Sequence, residues 1–191
     1  FVIQVVENKV KNVFVLFAPG LGGNHLANLI STDSRFQSRT TLDNYKNSNT
    51  KYAHHYDIEN LNIENKIQDY SGNVLCGHWG EFYWLGKSRD MFPMKQIVII
   101  EVPKNKNTFA YKRFQKYNNL DDYMWQEQRT LYSMEVVEKC FGIKDIWTIS
   151  SEEVINEVCC IDSLKGMNYD VDEKLCNEMH QIWSTANLNP S

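Results

Sequence analysis

The chain has 191 residues, the length of one ordinary domain. Its 20 Lys and Arg stand against 24 Asp and Glu, a net charge of −4, which argues against a general nucleic-acid binder because such proteins need a basic face. Hydrophobic residues make up 42% and aromatics 13%, enough to form a core and to exclude wholesale disorder.

No apolar run approaches the roughly 20 residues that span a bilayer, so no membrane span is expected. No secretory leader is visible, and Phe1 in place of Met leaves room for residues upstream. The cysteines lie at 76, 140, 159, 160 and 176. Their number is odd and no C-x-x-C pair exists, so neither a zinc site nor a disulfide framework is expected. Reduced thiols in a cytoplasmic protein fit this pattern.

In chain order, Val13–Phe17 is a short apolar run with β-branched and aromatic residues, read as a buried strand. Pro19-Gly-Leu-Gly-Gly23 is a loop. Leu26, Leu29 and Ile30 then recur at helical spacing, with Asn24 available as an N-cap. Residues 38–70 are polar and poorly periodic. Asn73–Cys76 and Gln96–Val102 read as a second and a third strand. Leu120–Phe141 reads as a long helix, with Asp121 or Asp122 at its start and Gly142 past its end. Asp145–Ile149 reads as a fourth strand, followed by helices over 151–164 and 172–187. Strands alternating with helices predict a single α/β domain over 1–191: a three-layer parallel sheet flanked by helices. Ligands of such sheets sit beyond the carboxyl ends of the strands.

The loop after the first strand carries the chemistry. Gly20, Leu21, Gly22, Gly23, Asn24 and His25 run from strand to helix. Glycines let the backbone turn and let a ligand approach its N–H groups. A helix start offers unpaired N–H donors and a partial positive charge. Together they predict an anion cradle for phosphate or sulfate. The loop lacks the G-K-[ST] of a Walker A motif, which argues against an ordinary ATPase or GTPase. No G-x-S-x-G elbow exists, which argues against an α/β-hydrolase.

Other candidates follow from residue type and position. His78 follows the second strand between Gly77 and Gly80, and imidazole titrates near neutral pH, so it is the candidate base. Lys104, Lys106, Lys112 and Arg113 form a basic set after the third strand's carboxyl end, where they suit an anion. His54 and His55 sit in the polar stretch and read as solvated. His180 reads as a helix residue without chemistry. The dense aromatics Trp79, Phe82, Tyr83 and Trp84 read as core.

Several of these pieces, taken in order, resemble the sulfotransferase family. Pro19-Gly-Leu-Gly-Gly-Asn-His-Leu26 is similar to that family's 5′-phosphosulfate loop. Leu75-Cys-Gly-His-Trp79 resembles its strand end with the catalytic His. Ile97-Val-Ile-Ile-Glu-Val-Pro-Lys-Asn105, followed by Tyr111-Lys-Arg-Phe114, resembles its 3′-phosphate strand and helix. Trp147-Thr-Ile-Ser-Ser-Glu-Glu-Val154 is a softer match to a later strand. The resemblance implies a P-loop-type fold and transfer of a sulfuryl group from PAPS (3′-phosphoadenosine 5′-phosphosulfate) to a hydroxyl or amine of a small molecule or glycan, without a metal. It implies His78 as the base, with the glycine loop and the basic set on the cofactor. Gly20 stands where the family has a Lys, and Glu101 where it has an Arg. Those two positions support the alternative of a sulfotransferase-like binding or scaffold protein that keeps only an anion or nucleotide site.

Overall fold

The computed structural model describes residues 12–36, 39–46, 74–77, 94–118 and 145–188. The expected helix over Leu120–Phe141, the candidate base His78, the pair His54-His55 and the aromatics at 79–84 lie outside the described residues.

Four strands form one all-parallel sheet: β1 (Asn12–Leu16), β2 (Val74–Gly77), β3 (Met94–Glu101) and β4 (Ile146–Ser150), in the order β2-β1-β3-β4. Val13 pairs with Val74 on one side and Gln96 on the other, and Ile97 pairs with Ile146. Parallel strands buried on both faces need near-continuous apolar sequence. β1 meets that need: Val13 and Val15 point to one face, Phe14 and Leu16 to the other, and none exceeds 3% exposure. Ile97 to Ile100 on β3 are equally buried. β4 differs, since Trp147 and Thr148 are exposed.

The described helices are α1 (Gly23–Ile30), α2 (Leu42–Lys46), α3 (Phe109–Tyr117), α4 (Ser151–Ile155), α5 (Glu157–Gly166) and α6 (Glu173–Asn187). None is long and apolar enough to cross a membrane. The core joins Val13, Val15, Val98 and Ile100 of the sheet to Leu26, Leu29 and Ile30 of α1, Leu164 of α5, and Cys176 and Met179 of α6. Each such aliphatic side chain contributes roughly 1.5–3 kcal/mol on burial. Cys76, Cys160 and Cys176 are buried and Cys159 is exposed, and none of the four is bridged by a disulfide.

Two expectations need correction. The helix expected over 151–164 is two helices. Ser150 opens α4 with a capping box to Glu153, and Asn156 closes α4 and caps α5 by accepting from the Cys159 N–H. A capping side chain at both boundaries makes two short helices stable where periodicity indicates one. Asn24 is not the N-cap of α1. Gly22 takes that place with φ +81° and no side-chain cap. Asn24 lies in the first turn, where its Oδ1 accepts from the Cys76 thiol on β2 at 3.2 Å.

α6 is fastened across the carboxyl end of α1 by backbone and side-chain bonds. Thr32 Oγ1 accepts from the Asp172 N–H at 3.1 Å, and Asp33 Oδ2 accepts from the Asp170 N–H at 2.8 Å. Asp33 is fully buried and also accepts from Arg35 Nε at 2.9 Å. Burial alone would raise the Asp33 carboxyl, but the Arg35 side chain and the N–H groups of Arg35 and Asp170 hold it below the ordinary carboxylate value. Asp172 in turn caps α6. These bonds fix where the far end of α6 meets the glycine loop.

Candidate functional site

The glycine loop leaves β1 at the carboxyl edge of the sheet and turns into α1. Gly20 and Gly22 both have positive φ, +86° and +81°. A Cβ at Gly20 would stand 2.8 Å from the Tyr117 ring, so the position is glycine for steric as well as backbone reasons. The Lys that sulfotransferases carry there does not fit this backbone. Gly23 is tighter still, with the Phe17 ring 2.0 Å from where its Cβ would be. By helix geometry the N–H groups of Gly23, Asn24 and His25 have no partner within α1.

A pocket of about 490 Å³ lies between this loop, α2, α3 and α6. It is lined by Gly20, Gly22, Gly23, Asn24 and His25 from the loop and α1, and by Arg113 and Tyr117 from α3. Tyr45 and Lys46 of α2 and Trp183 and Asn187 of α6 also line it. Of the residues expected at a cofactor, Gly20, Gly22, Gly23, Asn24, His25 and Arg113 thus come together. Leu21 is buried in the core instead. Lys104, Lys106 and Lys112 are exposed and do not line the pocket, nor does the exposed Glu101.

Arg113 is held without an acid. Its Nε donates to the Gly20 carbonyl at 2.7 Å and its Nη1 to the Asn187 carbonyl at 3.3 Å. The guanidinium lies 5.7 Å from the Tyr117 ring centre and 5.1 Å from that of Trp183. Burial lowers its pKa from the ordinary arginine value, though it stays a cation at any physiological pH. Among the described residues no carboxylate pairs with Arg113 or Lys46, and no Asp or Glu lines the pocket.

The inner wall holds a chain of three buried groups. Tyr45 Oη lies 2.8 Å from His25 Nδ1, and His25 Nε2 lies 3.1 Å from His180 Nδ1. The His25 ring stacks on Trp183 with centres 4.6 Å apart and planes 5° apart. Burial, then the neighbouring His180 and Arg113, push the His25 pKa well below that of a free histidine. His180 is also lowered by burial, against the pull of Glu157 and of its bond to the Ile155 carbonyl.

Tyr45 and His180 carry no role in the sequence reading. Tyr45 lies in a stretch that reads as polar and aperiodic. His180 did leave a signal: Cys176, Met179, His180 and Trp183 follow one another at helical spacing on a single buried stripe. A histidine among three apolar residues of a core stripe needs polar partners. Among the described residues no group of three or more metal-ligating side chains occurs. No family model matches the chain, and no curated protein or solved structure matches it either.

Proposed function

We propose that this chain binds a phosphate or sulfate ester in the pocket between the glycine loop and α6. The observation that carries the reading is Arg113, a part-buried cation lining a pocket that has no carboxylate among the described residues. Removing a charge from water without an opposite charge is unfavourable, so such a site is completed by an anion from outside. Lys46 adds a second positive charge at the rim, and the amino end of α1 adds its partial charge.

Sulfuryl transfer from PAPS, on a P-loop-type fold, is the specific form of this reading that the motif order favours. β1, the loop, α1, α2, β2 and β3 succeed one another along the chain, an order that supports this reading. The acceptor chemistry in that form belongs to His78, which lies outside the described residues. The alternative, a binding protein that keeps only the anion site, is favoured by Gly20, whose geometry excludes the family's Lys.

Calorimetric titration with PAP, the desulfated product, against ATP and sulfate tests the reading. PAP is expected to bind, and Arg113→Gln to weaken it by about 1.5–3 kcal/mol, the worth of a hydrogen bond to a charged group. Absence of binding at millimolar PAP and sulfate in the folded protein would overturn it.

A further inference from the structure

We propose that the pocket takes up a proton together with its anionic ligand, and that the proton is held by His25 within the Tyr45–His25–His180 chain. This inference rests on the anion-binding reading above and adds the ionic state of the site.

Two of the proton arrangements that these heavy-atom positions allow differ by a single proton. In the first, His180 accepts at Nδ1 from His25 Nε2–H. His25 Nδ1 is then bare and accepts from the Tyr45 hydroxyl. Every group is neutral, and the Tyr45 oxygen presents only lone pairs to the pocket. In the second, one proton from water is added at His25 Nδ1. That N–H now donates to the Tyr45 oxygen. The phenol O–H is displaced from its partner and turns to the pocket, where it becomes a donor. His180 need not change.

An anion discriminates between these states. It is repelled by lone pairs and bound by an O–H donor, and it gains a second charge close to Arg113. The empty pocket favours the first state for three reasons. His25 is buried, it lies in the first turn of α1 where the helix dipole disfavours a cation, and Arg113 approaches the same indole. A bound dianion reverses the last two terms, and the stacked Trp183 face favours the imidazolium. The groups facing His25 are Tyr45 and Lys46 from α2, Arg113 from α3 and His180 from α6, with Glu157 of α5 acting on His180. β2 contributes Cys76, whose thiol is bonded to Asn24. Among the described residues no carboxylate touches His25, so in this proposal the ligand supplies the negative charge.

Inorganic sulfate is the probe, because it stays a dianion throughout the range of interest. Its affinity is measured from pH 8 to pH 6 at constant ionic strength, and the ring nitrogens of His25 are followed by NMR at the same time. The expected result is tighter binding as pH falls, by up to about tenfold per pH unit for a one-proton linkage. The His25 ring is expected to pass from one protonated nitrogen to two when sulfate is added at neutral pH. Tyr45→Phe should flatten the pH dependence, and Arg113→Gln should weaken binding at every pH while keeping it. Should Tyr45→Phe not fold, the wild-type titration and the His25 signals decide alone. Sulfate or PAP binding with no pH dependence beyond the ligand's own ionisation, and an unchanged His25 ring, would overturn the inference and leave the anion site standing. If neither sulfate nor PAP binds, both fall.

Discussion

The two ends of α1 meet α6 in opposite ways. At the carboxyl end the buried acid is answered: Asp33 accepts from Arg35 and from the Asp170 N–H. Arg39 and Asp172 pair above it at 3.2 Å. At the amino end the charge is not answered. Arg113 is held by carbonyls and aromatic faces, and among the described residues the pocket beside it has no acid. The same pair of helices is therefore closed at one end and left electrostatically open at the other. Closed charge serves stability, whereas charge left open in a cavity serves a ligand.

Three substitutions, taken from the largest expected effect downward, and then a change of pH test this contrast. Gly23→Ala strikes the open end where its backbone is as tightly packed as any core position, against Phe17. It is expected to cost about 3 kcal/mol of stability, at the upper end of ordinary overpacking, read as a lowered urea midpoint. A neutral result would mean that the loop is not packed as described.

Asp33→Asn strikes the closed end. It leaves Arg35 without its charge partner and is expected to cost about 2 kcal/mol in the same unfolding measurement. Sulfate affinity should be unchanged. A loss of affinity equal to that of Arg113→Gln would erase the distinction between the two ends.

Arg113→Gln strikes the open end through its charge. Affinity for PAP is expected to fall about tenfold or more, while the unfolding midpoint moves less than for Asp33→Asn. The opposite ranking would make Arg113 a strut rather than a ligand group.

The fourth test is in pH. His25 and His180 titrate below the free value in the folded state, so the unfolded chain binds protons first as pH falls. Stability contributed by the neutral pair is therefore present above about pH 6.5 and is lost below it. Each histidine kept neutral by the fold contributes a slope of about 1.4 kcal/mol per pH unit there. Saturating sulfate should reduce this loss, and melting curves between pH 7 and pH 5 would show both effects. A stability flat over that range would mean that the chain is not buried as described.

Much of the frame was legible in the sequence. The continuous apolar runs of β1 and β3 have no polar alternation, so they read as buried strands. Leu26, Leu29 and Ile30 marked α1, and the glycines that precede them, after β1, marked the turn at the sheet's edge. Arg113 stood out within a basic set, but its three neighbours in that set were indistinguishable from it. Residue type does not say which face of α3 a lysine or arginine takes, and that face decides which one reaches the pocket.

The inner wall was illegible for a different reason. His25 and His180 are 155 positions apart, and only the crossing of α1 and α6 brings them together. Tyr45 sits on a helix of five residues, too short for any periodicity to register. The split at Asn156 was legible in principle, because Ser150 with Glu153, and Asn156 itself, are capping residues. The apolar periodicity through 151–164 outweighed them.

One consequence concerns the way Arg113 is held. Two carbonyls from distant parts of the chain and two aromatic rings fix its guanidinium before any ligand arrives. An arginine free to rotate carries about 2 kcal/mol of rotamer entropy, which a ligand would have to overcome in ordering it. Here that entropy is lost during folding. In the proposed site an anion would meet a cation already in place, so its association would be limited by diffusion and steering rather than by rearrangement.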